Sequence, residues 1–226
     1  MATSERPSYE SLVASDQAVT KSLEFLHLRW KLFVPLSSAI QVLEDATDPS
    51  STQQPYQRDS STFHPISNLP VTKPPVSSIS VTEDRLDCWV EDWVENHIPN
   101  TDTDHAEWVE ADPGGEDDDG YGDQDGRNLM SCCGERRPCP PPPIIVKAST
   151  HPFVTIHDFI AAVHPWLQAV KDDILNARGV FEDGRLPADT PMFICPCVLT
   201  PIFVYEGRDK GPEFWDAKWK KVAEPC

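Results

Sequence analysis

Two short cysteine clusters, at 132–139 and 195–197, hold the side chains best suited to chemistry, because thiolates bind zinc and react with oxidants. Neither cluster has two cysteines separated by two other residues, which is the usual spacing in structural zinc sites, and Pro196 stiffens the second cluster. We therefore expect no bound metal or cofactor, and a redox or regulatory thiol stays open. If zinc is bound, the candidate ligands are Cys132, Cys139, Cys195 and Cys197, with Cys133 as a fifth thiol.

Three histidines, His151, His157 and His164, lie around the start of a predicted helix, and imidazole is both a metal ligand and a general base. In an unbroken helix, His157 and His164 are separated by about 10 Å along the axis, which is too far to share one ion. A break at Pro165 would relax this limit. An enzyme, or a thiol or metal site of unrecognised type, therefore stays open as the alternative function, with the candidates His157, His164, Cys195 and Cys197.

Other catalytic signatures are missing from the sequence. No serine lies in a nucleophile elbow, and no glycine-rich phosphate loop is present. The carboxylates of Asp172 and Asp173 are adjacent in sequence and therefore diverge on a helix. The sequence favours a protein without enzymatic activity, although it leaves that question open.

Nearly all of the negative charge lies in one segment. From Val81 to Gly126 there are seventeen Asp and Glu residues and one basic residue, Arg85, so this segment has a charge of -16 out of -18 for the chain. Three Trp-Val-Glu sequences also lie in it, and tryptophans often dominate interface energies. We predict that the segment docks a protein partner that is basic or has a groove, through Trp89, Trp93 and Trp108. Such acidity opposes direct binding of nucleic acid.

A calcium loop is the other use of clustered carboxylates. In the register set by Asp123, Asp125 and Gly126, position one of an EF-hand is Tyr121 and position twelve is Cys132. Neither residue supplies the required carboxylate. We therefore expect a solvated acidic loop or a docking peptide here, and no specific calcium site.

The segment 1–46 is predicted to be a helical arm. Apolar residues recur at intervals of four and three from position 19 to position 33, and a second stripe runs from Leu36 to Leu43 after Pro35. Packing against the rest of the protein is the expected role of this face, and self-association through the helix at 16–34 is the alternative. The first stripe consists of Val19, Leu23, Leu26, Trp30 and Phe33.

Three further segments follow the helical arm. Residues 47–82 are rich in Ser, Thr, Gln and Pro, so we expect a linker that cannot bury enough area to fold. Residues 83–98 have apolar side chains at helical spacing and predict a short amphipathic helix that contains Trp89 and Trp93. Residues 99–143 are expected to be disordered, because acidic, glycine-rich and proline-rich runs resist ordering.

The segment 144–226 is predicted to be a small α+β domain. Ile144–Val146 indicates a strand, and Thr155 with Asp158 indicates a capping box at the start of a long helix that ends at Gly179. Pro165 lies inside this helix and should kink it or open a second helix. Residues 192–198 and 201–205 are expected to be extended, and Pro196 and Pro201 confine them to edge strands or non-strand loops. Pro212 is predicted to open a terminal helix. The predicted fold class is therefore α+β, with N-terminal amphipathic helices and long disordered acidic and Pro/Ser-rich segments.

The central helix segment resembles a segment shared by uncharacterised proteins of filamentous fungi. The matching stretches are Phe153–Phe159 (FVTIHDF), Val163–Leu167 (VHPWL) and Asp173–Leu175 (DIL). The resemblance implies a fungal source and a folded domain. Because that group has no assigned activity, the resemblance implies no function.

The expected location is the cytoplasm or nucleus. Acidic residues and the lack of an early apolar run argue against a secretory signal or a mitochondrial presequence, and no window is apolar enough to span a membrane. Seven unevenly spread cysteines are expected to be reduced in that compartment.

Overall fold

The computed structural model of the chain describes residues 6–48, 50–101, 106–110, 127–182 and 184–207. These residues contain both helices and strands, so the predicted α+β class is confirmed. The acidic run Glu116–Asp119 and the terminal helix predicted after Pro212 lie outside the described residues. None of the helices within these ranges is long and apolar enough to cross a membrane.

The elements are short, apart from one long helix. In chain order the α-helices are α1 (Tyr9–Ala14), α2 (Leu36–Ala39), α3 (Asp84–Asp87), α4 (Trp89–His97), α5 (Ile156–Ala169) and α6 (Lys171–Arg178). The strands are β1 (Thr20–Lys21), β2 (Leu28–Trp30), β3 (Ile40–Leu43), β4 (Gln53–Pro55), β5 (Thr72–Lys73), β6 (Ser78–Val81), β7 (Glu107–Glu110), β8 (Arg127–Cys132), β9 (Glu135–Arg136), β10 (Ile144–Lys147), β11 (Met192–Cys195) and β12 (Phe203–Glu206). Short 3-10 helices occupy Glu24–His27, Pro65–Asn68 and Ile98–Asn100.

The chain forms two compact units, each built from segments that are separate in sequence. Unit 1 comprises Met1–Asp84, Pro142–Lys171 and Asp189–Cys226. Unit 2 comprises Arg85–Pro141 and Asp172–Ala188. The predicted domain of residues 144–226 is thus divided between the units, and the N-terminal segments belong to the body of unit 1.

The strands of unit 1 pair antiparallel over long sequence separations. β3 lies between β2 and β4, and β11 pairs with β12. A bridge between Lys31 and Phe193 joins the free edge of β2 to β11, and the Leu32 N–H donates to the Met192 carbonyl at 2.8 Å. β1 pairs with β5, and β6 pairs with β10. The predicted strand at Ile144–Val146 is therefore confirmed as β10.

Helix α5 packs into the core of unit 1 through aromatic rings. Phe159 meets Phe25 edge to face at a centroid distance of 5.6 Å and meets Trp30 at 6.5 Å. All three side chains are fully buried. Edge-to-face pairs at these distances add to the stabilisation from buried area, so this cluster ties the early strands to the helix.

The predicted capping box at the start of α5 is confirmed. Thr155 Oγ1 accepts from the Asp158 N–H at 3.0 Å, and the Asp158 carboxylate accepts from the Thr155 N–H at 2.9 Å. The hydroxyls of Thr155 and Ser149 also donate to this carboxylate. Pro165 lies within α5 without ending it, and the helix stops at Ala169 before α6 begins. Gly179 follows the last residue of α6, as predicted.

The helix predicted over residues 16–34 is wrong. Asp16 has a φ of 58°, in the left-handed region, and follows the end of α1. Leu28, Trp30 and Leu32 are buried alternately, so the chain here follows the period of two that a strand requires. Leu23, which the helical stripe includes, is 73% exposed. The seam proposed for self-association at 16–34 therefore does not form, and the helical part of the second stripe is limited to α2.

The linker predicted over residues 47–82 is also wrong. This segment forms β4, β5 and β6, and most of its few apolar side chains are buried. Tyr56, Val71, Val76, Ile79 and Val81 have no exposed surface. The polar composition of this segment predicts that the conformational entropy lost on folding would keep it unfolded. Burial of a small number of β-branched and aromatic residues in a sheet offsets that entropy loss.

Unit 2 contains the predicted amphipathic helix and a small sheet. α4 confirms the helix expected within 83–98, and its Trp93, Val94 and His97 are buried. β8 lies between β7 and β9 in antiparallel order, so the expectation of disorder across 99–143 is wrong for these strands. Leu129 and Cys132 of β8 form a core cluster with Trp93 and Val94.

Removing the cap of α5 is expected to destabilise unit 1. Thr155→Ala deletes one acceptor and one donor at a buried helix start, so we expect a loss of about 1 to 2 kcal/mol of unfolding free energy. Urea unfolding would measure this loss. Thr150→Ala, at an exposed threonine five positions earlier, is the matched control and should change stability by less than about 0.5 kcal/mol. Equal effects of the two substitutions would contradict the capping role.

The Asp158 carboxylate should also make unit 1 sensitive to acid. Burial raises the pKa of Asp158, but hydrogen bonds from Ser149 and Thr155 outweigh it and leave the pKa below its usual value. A carboxyl with a lowered folded pKa stabilises above its unfolded pKa, and that stabilisation is lost as the pH falls through the folded pKa. We expect Asp158→Asn to be less stable at neutral pH, with a smaller further loss below about pH 4.

Candidate functional site

His157 and His164 occupy separate positions in unit 1, each with its own partner. The Tyr56 hydroxyl lies 3.1 Å from His157 Nδ1, and the Phe63 ring packs on the same imidazole at 4.4 Å. His164 is buried, stacks on Trp30 and accepts from the Trp30 indole N–H at 3.2 Å. Because a neutral imidazole has one acceptor nitrogen, this bond uses the free lone pair of His164. These contacts support structural roles for both residues.

The cysteine candidates are divided between the two units. Cys195 and Cys197 belong to unit 1 and are joined by a disulfide, so the expectation of reduced thiols is wrong for this pair. The turn at Pro196 brings their Cα atoms to 5.4 Å, within the range that a disulfide needs. Cys132 and Cys139 belong to unit 2. In the part of the chain that the structure describes, no three metal-ligating side chains form a group that could hold an ion.

A cavity of about 510 Å³ lies in unit 2, and every residue that lines it belongs to that unit. We call it the α4 cavity. Helix α4 contributes two of the predicted interaction residues, Trp89 and Trp93, and the strand β9 contributes acidic and basic side chains. The loop that follows α6 closes the remaining side with Gly179, Glu182 and Arg185. The volume is within the range of small-ligand sites and is large enough for one or two side chains of a partner.

The three predicted interaction tryptophans differ in their surroundings. Trp93 is 3% exposed and belongs to the core, so it is not available as an anchor. Trp89 is half-buried and lines the α4 cavity. Trp108 is half-buried on β7, and the Arg127 guanidinium lies over its ring at 5.4 Å. Trp89 is therefore the tryptophan that combines an accessible ring with a concave surface.

His97 connects the core of unit 2 to the α4 cavity. Its ring stacks on Trp93 at 4.3 Å, and Nδ1 donates to the Trp93 carbonyl oxygen at 2.8 Å. Because that oxygen can only accept, Nδ1 carries the proton. Nε2 faces Glu135 at 3.6 Å, and the Glu135 side chain is 69% exposed. The Glu135 carboxylate therefore lies at the cavity wall, next to the buried His97 ring.

Both carboxylates and guanidinium groups line the α4 cavity. Glu135 and Glu182 line it, and Glu91 and Glu95 are exposed on α4. Arg185, which also lines the cavity, is paired with Asp172, and Arg136 adds a second cationic side chain. The charges near the cavity are therefore mixed, while the acidic segment that contains α4 is strongly negative.

Asp92 is a half-buried residue of α4, and its surroundings shift the pKa of its carboxyl group. Burial raises the pKa of Asp92, and the nearby charges of Glu91 and Glu95 act in the same direction, while Arg85 at 3.4 Å opposes them. Asp92 therefore gains a proton more readily than an isolated aspartate. Among the described residues that line the α4 cavity there is no serine, threonine or cysteine.

A smaller cavity of about 170 Å³ lies in unit 1. Lys21, Cys197 and Leu199 are among its lining residues, and Lys21 Nζ donates to the Cys197 carbonyl oxygen at 2.9 Å. That ammonium is thus held by the backbone at the cavity wall.

Sequence reasoning missed several residues of the α4 cavity. In the sequence, His97 is marked only by its position four residues after Trp93, and Glu135, Asn176 and Glu182 have no signal. His97 does lie on the same face of α4 as Trp93, because residues four apart are neighbours on a helix. Residues 135 and 182 are distant in sequence from α4, and only the folded unit brings them to it.

The chain matches no protein-family model, and no curated protein or solved structure matches it. The likeness to fungal proteins at 153–175 therefore stays a prediction, and function is inferred from the site alone.

The buried His164 should contribute a second step of acid sensitivity. Burial lowers the pKa of His164, and protonation of Nδ1 would also remove the acceptor for the Trp30 indole. A base with a lowered folded pKa loses stabilisation as the pH falls from its unfolded pKa of about 6.5 through the folded pKa. We expect the unfolding free energy of His164→Gln, measured with urea, to change less with pH across this window than that of the unaltered protein. His151→Gln is the matched control, and an equal flattening there would contradict the assignment.

Trp93 is expected to be essential for the stability of unit 2. Trp93→Ala should cost about 3 to 5 kcal/mol, because it removes a buried indole from the core. Trp93→Phe should cost much less, since it keeps a ring against His97 and deletes the indole N–H, which has no hydrogen-bond partner among the described residues. Amide hydrogen exchange of residues 89–97 would measure both losses. Equal exchange rates in the two variants would contradict this role.

Proposed function

We propose that the protein is a non-enzymatic interaction protein of the cytoplasm or nucleus, and that its unit 2 docks a basic segment of a partner protein in the α4 cavity. The observation that carries the proposal is the position of Trp89. Its ring is half-buried, so it is held in place, and it lines a cavity large enough to accept a partner side chain. Anchors in protein interfaces are typically aromatic side chains at such concave positions.

Charge complementarity supports a basic partner. Glu135 and Glu182 line the cavity, Glu91 and Glu95 are exposed on the same helix as Trp89, and the segment 81–126 has a charge of -16. An arginine or lysine entering the cavity gains both the field of these carboxylates and the face of the indole. An acidic partner would meet repulsion from the same groups.

A contact within unit 2 supports cation–π recognition of the partner. Arg127 places its guanidinium 5.4 Å from the ring centre of Trp108. This is within the range of an attractive cation–π contact. Trp108 thus already has a cationic side chain from its own chain over its ring, which favours Trp89 as the residue that receives the partner's cation.

Trp89→Ala is expected to weaken binding of a basic peptide about tenfold or more, because a hot-spot tryptophan contributes at least about 2 kcal/mol. The probe is a fluorescein-labelled peptide of alternating arginine and alanine, and fluorescence anisotropy measures its dissociation constant. A peptide of alternating glutamate and alanine tests the sign of the charge and should not bind.

Trp166→Ala is the matched control for this experiment. Trp166 is also half-buried and helical, but it lies in unit 1, and its loss leaves the net charge equal to that of Trp89→Ala. The control should bind the peptide as the unaltered protein does. Equal binding by all three proteins would show that long-range charge alone attracts the peptide, and it would refute the proposed anchor.

A further inference from the structure

Cys132 and Cys133 form a pair of adjacent thiols at the end of a hairpin. Their Sγ atoms lie 3.6 Å apart. Cys133 and Gly134 connect β8 to β9 as a two-residue turn, with φ values of 56° and 84°. Side chains of adjacent strand residues normally point to opposite faces, so the turn at Cys133 is what allows its sulfur to approach that of Cys132.

The backbone conformation at Cys133 is unusual for this residue type. Two-residue hairpin turns with positive φ at both positions favour Asn-Gly, Asp-Gly or Gly-Gly, because other side chains are strained in the left-handed region. A strained residue that persists in a turn is a reason to ask for a function at that residue. Here the strained residue contains the exposed sulfur of the pair.

The two thiols have different surroundings. Cys133 is exposed and can meet a solute, whereas Cys132 has no exposed surface and belongs to the core cluster with Trp93 and Leu129. Burial, together with the neighbouring Cys133, raises the pKa of the Cys132 thiol. The exposed sulfur is therefore the one that meets an incoming reagent, and the buried thiol keeps its proton until a reaction partner is adjacent.

We propose that Cys132 and Cys133 are a redox modification site that closes into a vicinal disulfide by exchange with a low-molecular-weight disulfide such as oxidised glutathione. The Cys133 thiolate attacks one glutathione sulfur, forms a mixed disulfide and releases one glutathione thiolate. The Cys132 sulfur then attacks Cys133 Sγ and releases the second glutathione, which leaves with the Cys132 proton. The two thiols lose two electrons and one oxidised glutathione is reduced to two molecules of glutathione.

The geometry favours the second step over release of the mixed disulfide. The two sulfurs need to approach from 3.6 Å to about 2.05 Å, which rotation of the side chains and a small shift of the turn can supply. The Cα atoms of adjacent residues are closer than in most disulfides, so the bond is strained and easily reduced. The site therefore responds reversibly to a change in thiol–disulfide balance.

Closure would change the interior of unit 2. The Cys132 thiol lies 3.9 Å from the His97 carbonyl oxygen and 3.8 Å from that of Asn100, so it contacts the end of α4 and the turn that follows. Drawing the sulfur toward Cys133 weakens these contacts and the packing on Trp93. The proposal concerns the thiols themselves and does not depend on the docking function of the α4 cavity.

Trypsin releases both cysteines in one peptide, Asn128–Arg136, which contains no other cysteine. The full chain is equilibrated with reduced and oxidised glutathione at a series of ratios, and it is then alkylated and digested. Mass spectrometry measures the mass of the peptide. We expect a form that is lighter by two hydrogens and resists alkylation, and we expect it to revert on addition of reduced glutathione. Cys133→Ser and Cys132→Ser each remove one partner, and Cys132→Ser should accumulate the mixed disulfide at Cys133.

Three outcomes would overturn the proposal. One is full alkylation of both cysteines at every glutathione ratio. Another is a stable mixed disulfide on Cys133 in the unaltered protein, since it would show that Cys132 does not resolve it. A cross-link from Cys133 to Cys139 or to a second chain would also overturn it, because the peptide would then appear joined to another fragment. Urea unfolding of the serine variants confirms that each remains folded before its thiols are compared.

Discussion

The contact between Trp93 and His97 is the interaction on which the rest of unit 2 depends. The stacked rings fill the space between α4 and β8, and the Trp93 carbonyl fixes the orientation of the imidazole. Nε2 of His97 faces Glu135 at the cavity wall, and the His97 backbone carbonyl contacts the buried thiol of Cys132. The α4 cavity and the Cys132–Cys133 pair therefore lie against one small core of packed side chains.

The repeated Trp-Val-Glu sequence has different roles at its three positions. In α4 the positions 89 and 93 are four residues apart and lie on neighbouring parts of one helical face, but only position 93 reaches the core. At position 108 the same three residues lie on a strand, where the ring receives a guanidinium from the paired strand. A short sequence repeat thus determines which residue types are present, while the surrounding structure determines whether an indole is buried in the core, lines a cavity or lies under a guanidinium.

Features that depend on near neighbours were predictable from the sequence. The capping box of Thr155 and Asp158, the helix α4 and the strand β10 all have signals within a few residues. The early strands were not predictable, because their partners are distant: Thr20 pairs with Lys73, Ile79 pairs with Val146, and Lys31 pairs with Phe193. In residues 28–32 the alternation of a strand competes with a four-three helical spacing, and long-range pairing decides between them. The α4 cavity was partly predictable, since Trp89 has a local signal and Glu135 and Glu182 have none.

The bridge from Lys31, which directly follows β2, to Phe193 of β11 has a consequence during synthesis on the ribosome. The edge of β2 emerges early, but β11 is made much later. The stretch from position 31 to position 193 is more than two thirds of the chain. At the usual rates of translation the nascent sheet edge stays uncovered for on the order of ten seconds or more. Uncovered strand edges pair with other strands, so we expect the nascent chain to bind chaperones. The order in which the strands are made sets the duration of this exposure, and the stability of the folded protein does not.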